Sequence, residues 1–318
     1  MSSTIIRHFL ADDDLSAEEQ AEVLDRAARL KLAPFSDRSL EGPQPVAVLF
    51  DKPTLRTQVS FVGAIAGLGG HPMIVDARLA QVGERESIAD VARILGPQAS
   101  AIVWRTTAQE RLAEMAHYAG VPVVNALTDD YHPCQILADL LTIREHFGAL
   151  AGLTMAYVGD GANNMAHSYL LGGALAGLQV RIGAPADHQP RPDIRSRAAQ
   201  LAATTGGSID VTSDPQAAVA GADVVITDTW VSMGMESEQE ARQGAESPFT
   251  PYAVTPDLMA GADPAAIFLH CLPAYRGYEV AAEVLDGPRS LVWEEAANRL
   301  HVQKALLSFL LDHSRSPV

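Results

Sequence analysis

Thr154-Met155-Ala156-Tyr157-Val158-Gly159-Asp160-Gly161-Ala162-Asn163-Asn164 reads as a short buried strand that ends in a glycine turn and opens a helix. A strand followed at once by a helix is the unit of a parallel sheet, because parallel strands need a crossover between them. The same alternation continues in both directions. Candidate strands lie at 46–50, 72–75, 101–104, 121–125, 154–158, 179–184, 224–227 and 267–269, each followed by an Ala/Leu-rich segment or a polar loop. The fold class is therefore α/β. The turn at 159–164 is close to a G-x-G-x-x-G dinucleotide fingerprint. Asn164 replaces its third glycine, however, and the next strand ends in Gly183-Ala184-Pro185 where a ribose-binding acid belongs. A nicotinamide cofactor is not expected, and Asn163 and Asn164 are better placed to grip a carboxylate.

Upstream of Thr154, the segment 133–147 carries Ile136, Leu140, Ile143 and Phe147 on one helical face and is long enough to bridge two domains. A Gly148–Gly152 break follows it, which places the domain boundary near 132–150. The last helix, 294–311, has no strand after it and is expected to pack back on the first domain. The stretch 235–246 is acidic and without periodicity, as a mobile loop would be. Two domains suit a chain of 318 residues.

A net charge of −16 repels phosphate backbones and argues against nucleic-acid binding. The glycines at 172, 173 and 177 interrupt the longest apolar stretch well short of the ~20 residues that span a bilayer. Cys134 and Cys271 are too few for a disulfide framework, no charged-then-apolar leader stands at the start, and the chain reads as cytosolic.

The polar residues with chemical potential stand after the strands. Asp51-Lys52-Pro53-Thr54-Leu55-Arg56-Thr57-Gln58 offers helix N–H groups, hydroxyls and a guanidinium to an anion, or is simply a Thr-capped helix with surface charges. Arg105 ends a buried strand and points into the ligand crevice of an α/β sheet, or makes a rim salt bridge. His132 precedes a proline at a helix N1 position with Gln135 in the first turn, so both can face one point. A helix N-terminus keeps such an imidazole neutral, able to polarise a carbonyl, although a capping histidine would look the same. Asp228 and Ser232, in Asp228-Thr229-Trp230-Val231-Ser232-Met233-Gly234, suit an ammonium group, or Asp228 caps a loop. His270-Cys271-Leu272-Pro273 holds a thiol that is a candidate nucleophile or metal ligand, or an inert buried group; no CxxC spacing supports zinc.

Taken in chain order, these pieces resemble the aspartate/ornithine carbamoyltransferase family from about residue 4 to residue 312. The most specific are His132-Pro133-Cys134-Gln135, Gly159-Asp160-Gly161-Ala162-Asn163-Asn164-Met165, the Asp228–Gly234 segment, His270-Cys271-Leu272-Pro273 and Asn298-Arg299. The Ser-Met-Gly loop is similar to that of ornithine-type members. The resemblance implies two domains, each a parallel sheet flanked by helices, with the active site in the interdomain cleft. Residues 1–131 plus 292–318 would bind carbamoyl phosphate and 132–291 the amino acid.

By the same resemblance Arg56, Arg105, His132, Asp228 and Cys271 would be catalytic. Thr54, Leu55, Arg56, Thr57, Gln81, Arg105, His132, Gln135, Cys271, Leu272 and Arg299 would hold carbamoyl phosphate, with Cys271 and Leu272 also near the attacking amine. Gln81 would reach the site of a neighbouring subunit in a homotrimer, or a multiple of trimers, with shared active sites. Asn164, Asp228, Ser232 and Met233 would hold L-ornithine. The implied reaction gives citrulline, as in arginine biosynthesis, with no cofactor and no metal. The alternatives are carbamoylation of another free diamino acid, such as 2,3-diaminopropionate in a secondary-metabolite pathway, and a catalytically impaired binding paralogue. The chain departs from the family pattern at Leu55 and Gln58 in the phosphate segment, and at Tyr275, Tyr278 and Ala297 towards the acceptor end.

Overall fold

A computed structural model describes residues 6–52, 54–76, 81–231, 236–244 and 246–314. The chain forms two compact units, Met1–Leu137 with Arg299–Val318, and Ala138–Asn298.

In the first unit, helix α1 (Ala17–Leu32) starts at Ser16, whose hydroxyl accepts the Glu19 N–H while Glu19 reaches back to the Ser16 N–H. Strands β1 (Pro45–Phe50), β2 (His71–Asp76), β3 (Ala101–Arg105) and β4 (Val123–Leu127) form a parallel sheet in the order β2-β1-β3-β4. Helices α2 (Leu55–Gly67), α3 (Ile88–Leu95) and α4 (Gln109–Ala119) are its crossovers. Val46 to Leu49 are wholly buried, which is why β1 reads as a continuous apolar run instead of alternating. Val82 buries its side chain in the core with Trp104, Leu112 and Met115, and so anchors the turn that begins at Gln81. Helix α5 (Pro133–Phe147) follows β4.

The second unit carries a five-stranded sheet, β7-β6-β5-β8-β9, in which every pairing is parallel: β5 (Thr154–Val158), β6 (Gln179–Gly183), β7 (Ser208–Thr212), β8 (Val224–Ile226) and β9 (Ile267–Leu269). Helices α6 (Asn164–Leu175), α7 (Pro192–Thr205) and α8 (Pro215–Val219) lie between the strands, followed by the short α9 (Gln239–Gln243), α10 (Pro256–Met259) and α11 (Ala282–Leu285). Helix α12 (Val292–His313) closes the chain. Among the described helices, none is long and apolar enough to cross a membrane.

Three details differ from the sequence reading. The units divide inside α5 and α12, not at 131/132 and 291/292, because both helices run unbroken through the division. Strand β4 begins two residues later than expected: Pro122 has no N–H for the ladder and contributes only its carbonyl, to the Ile102 N–H. Strand β7 was not anticipated. It lies at the sheet edge, where Ile209 and Val211 are only half-buried and the apolar signal is weak.

The β5–α6 turn is tightly packed. A Cβ on Gly161 would lie 2.8 Å from both Ala184 Cβ and the His188 carbonyl oxygen. Gly161→Ala is therefore expected to destabilise the second unit by ~1–3 kcal/mol, the usual cost of overpacking. Urea denaturation followed by circular dichroism checks this, and an unchanged midpoint would contradict the packing.

Candidate active site

Two groups of polar side chains gather after the strands, one in each unit. In the first, Thr54 precedes α2 in extended conformation and Thr57 is buried in its first turn. Arg105, the last residue of β3, is 7% exposed, and its Nη1 donates to Thr54 Oγ1 at 3.3 Å and Thr57 Oγ1 at 3.4 Å. Arg299, 3% exposed, donates through Nη2 to the same Thr57 Oγ1 at 3.0 Å and through Nη1 to Gln135 Oε1 at 2.9 Å. Two buried guanidinium groups thus converge on one hydroxyl. Arg56 follows Leu55 in the first turn of α2, half-buried, while Leu55 itself is 75% exposed.

His132 is buried just ahead of Pro133, and its carbonyl accepts the Gln135 N–H at 3.0 Å. Burial pushes its imidazole well below the ordinary 6.5, and Arg299, Arg105 and Arg56 push it further. The ring is therefore neutral at physiological pH and able to donate to a carbonyl oxygen without adding a charge. The pattern His-Pro-x-Gln, with the helix start it implies, was legible in the sequence; the contributions of three arginines were not.

Asp51 braces this group from behind. Its carboxylate accepts from Trp104 Nε1 at 3.0 Å, Thr106 Oγ1 at 2.6 Å and Arg111 Nη2 at 3.3 Å. Arg111 also donates to the Val82 carbonyl at 2.7 Å and so holds the turn that carries Gln81. Gln81 is exposed and adopts φ 45°, rare for a residue with a side chain. The structure thus sets Gln81 apart from the Arg105–Arg299 group on an outward-facing turn. A cavity of about 430 Å³ opens beside Thr54, Leu55 and Gln58, floored by Phe50 and Asp51; Arg105, His132 and Arg299 are not in its wall.

In the second unit, Asp228 is 5% exposed and follows β8. Its Oδ1 accepts the Thr229 N–H at 2.8 Å and the Cys271 thiol at 3.2 Å. Burial raises both groups. The Cys271 thiol stands well above its ordinary range, first through burial and then through the neighbouring Asp228, and Asp228 is raised by burial against the pull of His270 and the thiol hydrogen bond. Cys271 is therefore a thiol and not a thiolate, which removes its nucleophilic form.

Behind Cys271, His270 Nδ1 accepts the Leu272 N–H at 2.9 Å, which assigns the ring proton to Nε2, 3.3 Å from Glu279 Oε1. Glu279 also accepts the Tyr275 N–H at 2.6 Å, and the His270 N–H goes to Glu295 at 2.9 Å. Leu272 adopts φ 58° at this turn. His270 and Glu279 are wholly buried. The sequence reading did not single out Glu279; nine residues after His270 on a loop, it carries no local signal.

Asp228, His270 and Cys271 have metal-ligand atoms within 4.8 Å of one another. Both ring nitrogens of His270 are engaged by Glu279 and the Leu272 N–H, and the Cys271 thiol by Asp228.

Asn164 begins α6, as expected. Asn163 is not a ligand for a carboxylate, contrary to expectation. Its Oδ1 caps α6 through the Ala166 N–H at 2.9 Å and its Nδ2 donates to Tyr157 Oη at 3.0 Å, so the helix N-terminus has claimed it. Ser232 and Met233 lie outside the described residues. Tyr275 and Tyr278 are 46% and 44% exposed.

One parallel sheet is thus followed by two buried guanidinium groups and a neutral imidazole, the other by a buried carboxylate that accepts from a half-buried thiol. Residues 7–145 match the carbamoyl-P binding domain, and residues 151–310 the Asp/Orn binding domain, of the aspartate/ornithine carbamoyltransferases. The chain belongs to that family. It is 61% identical to the ornithine carbamoyltransferase of Clavibacter sepedonicus over 97% of this chain and 99% of that one. With that of Mycolicibacterium paratuberculosis it shares 56% identity over 96% and 98% of the two chains. The solved ornithine carbamoyltransferase of Pyrococcus furiosus superposes with a TM-score of 0.92 at 42% identity, covering 98% of this chain and 99% of that one.

The neutral imidazole has a measurable consequence. His132 stays unprotonated in the fold but takes up a proton near its ordinary value, 6.5, when the chain unfolds. The unfolded state then binds more protons, so this residue's contribution is full above 6.5 and lost as pH falls below it. Between pH 7 and 5, urea-denaturation stability should fall more steeply in the wild type than in His132→Gln, by up to ~1.4 kcal/mol per pH unit. Parallel curves would contradict a neutral buried His132.

Proposed function

We propose that the chain transfers the carbamoyl group of carbamoyl phosphate to the side-chain amine of L-ornithine, giving citrulline and inorganic phosphate. The observation that carries this reading is the convergence of Arg105 and Arg299 on Thr57 beside a neutral His132, in a chain whose full-length relatives bear the ornithine carbamoyltransferase name.

In the first unit, the N-terminus of α2, with Thr54, Leu55, Arg56 and Thr57, takes the phosphate. Arg105, His132 and Arg299 draw on the carbamoyl oxygen, and Gln135, with its oxygen held by Arg299, orients the carbamoyl amide. In the second unit, Asn164, Asp228, Ser232 and Met233 hold the amino-acid head group, and Cys271 and Leu272 lie beside the side-chain amine. The neutral amine attacks the carbonyl carbon and a C–N bond forms. The oxyanion is stabilised by cations and donors already in place, the bond between the carbonyl carbon and the bridging phosphate oxygen breaks, and phosphate leaves with that electron pair. The amine proton passes towards the Asp228–Cys271 pair. The unit Met1–Leu137 with Arg299–Val318 serves the donor and Ala138–Asn298 the acceptor, in the cytoplasm.

Gln81 belongs to a neighbouring subunit's site in a trimer or multiple of trimers. Its exposed position on a braced turn supports this, as does the exposed apolar strip of Leu55, Val59 and Ile74, which a second copy would cover.

With carbamoyl phosphate saturating, kcat/KM is expected to be highest for L-ornithine among ornithine, 2,4-diaminobutyrate, 2,3-diaminopropionate and N-acetylornithine. One methylene discriminates by ~1–3 kcal/mol, so the shorter acceptors should lose about tenfold or more. Highest activity on a shorter free diamino acid overturns the ornithine assignment alone; preference for the acetylated compound overturns the head-group grip at Asp228.

Arg105→Ala and Gln81→Ala should each be inactive alone and regain partial activity when mixed under conditions that exchange subunits, because some sites then draw both intact residues. Confirmed exchange with no recovery would show that the site is not shared.

A further inference from the structure

The stretch 235–246, expected as a mobile loop, contributes an anchored residue instead. Arg242 has 12% of its side chain exposed, and its Nη1 donates to Asp160 Oδ2 at 2.6 Å and to the Trp230 carbonyl at 3.1 Å. Its Nε donates to Glu238 at 2.7 Å. The guanidinium lies over the Phe249 ring, 5.4 Å from its centre, and Phe249 stacks on Trp230 at 5.9 Å. Ser247 Oγ donates to the Arg242 carbonyl and ties down the backbone. Asp160, with 5% of its side chain exposed, uses its other oxygen to accept the Ala162 N–H at 3.0 Å, so one carboxylate closes the β5–α6 turn and takes the arginine.

These contacts fall where the sheet stops helping. The β5–β8 ladder ends at Tyr157 and Ile226. Beyond it, Thr227 Oγ1 donates to the Val158 carbonyl at 2.7 Å, and the fork of Arg242 then ties the Asp160 turn to Trp230. Asp160 lies four residues before Asn164, and Trp230 two residues after Asp228.

We propose that Arg242 is a positioning residue for the acceptor site: by clasping Asp160 and the Trp230 carbonyl together it fixes the spacing between Asn164 and Asp228. This rests on the reading of those two residues as the amino-acid grip. The contribution is to binding rather than to the bond-making step, because Arg242 joins the segments that hold the head group through its bonds to Asp160 and Trp230. Loss of the clasp removes binding common to ground and transition states, which raises KM and spares kcat.

The test compares wild type, Arg242→Gln, Arg242→Lys, Asp160→Asn and the double variant Asp160→Asn/Arg242→Gln. Asp160→Asn keeps the oxygen that accepts the Ala162 N–H and removes the charge. Arg242→Gln and Asp160→Asn should each raise the KM for ornithine about tenfold, the scale of a lost charge-assisted hydrogen bond, with kcat and the KM for carbamoyl phosphate within roughly threefold of wild type. Arg242→Lys should fall between, and the double variant should be no worse than either single one. Additive losses, or a fall in kcat with both KM values unchanged, would overturn the clasp. Hydrogen exchange without substrate decides the structural part independently. Arg242→Gln should speed exchange at 159–164 and at 228–231 and leave 123–137 unchanged; equal exchange in all three overturns the proposal. A wild type that carbamoylates no diamino acid would sink the functional reading, and the exchange result would then decide the clasp alone.

Discussion

Two guanidinium groups are buried against one hydroxyl in the first unit, an arrangement that costs hydration. Arg105 and Arg299 share Thr57 Oγ1, and the N-terminus of α2 adds a partial positive charge at the same place. Like charges removed from water repel and lose hydration together, and the anionic donor of the proposed reaction would offset both terms. The surrounding architecture follows from that need. Strand β3 delivers Arg105 at its carboxyl end, α12 delivers Arg299, and Asp51 locks Trp104, Thr106 and Arg111 so that the strand ends cannot relax away. Burial, reinforced by the same positive field, keeps His132 neutral, which turns a titratable group into a fixed donor.

The second unit has the opposite polarity. Burial first, and then Asp228, Glu295 and Asp139, hold the Cys271 thiol protonated. A cation is favoured there, and an amine losing its proton meets a carboxylate already raised by burial. On the proposed reading, one unit takes the anionic donor and the other the cationic acceptor. A net charge of −16 is compatible with both because local fields, not the total, decide binding.

Much of this was legible in the sequence because central parallel strands are apolar throughout and the functional residues follow them directly. Arg105, His132, Gln135, Asp228 and Cys271 were singled out by that rule, and the structure places Arg105, His132 and Gln135 together in the first unit and Asp228 beside Cys271 in the second. What stayed hidden depends on contacts between distant segments. Arg111 looks like any surface residue of a helix until Asp51 and Val82 are brought to it, and Arg242 sits in a stretch with no periodicity whose order comes from Asp160 and Trp230. Asn163 misled because a helix N-cap and a ligand amide call for the same side chain. Strand β7 was missed because an edge strand with half-buried Ile209 and Val211 carries little hydrophobic pattern.

The central claim is that the buried Arg105–Arg299–His132 group exists to hold an anionic carbamoyl donor. Calorimetric titration of the protein with carbamoyl phosphate, in the absence of any amino acid, tests it most directly. Saturable binding at one site per chain, weakened at least about tenfold in Arg105→Ala without loss of fold, is the result the account predicts. Equal affinity in the variant, or no binding to the wild type, would contradict it.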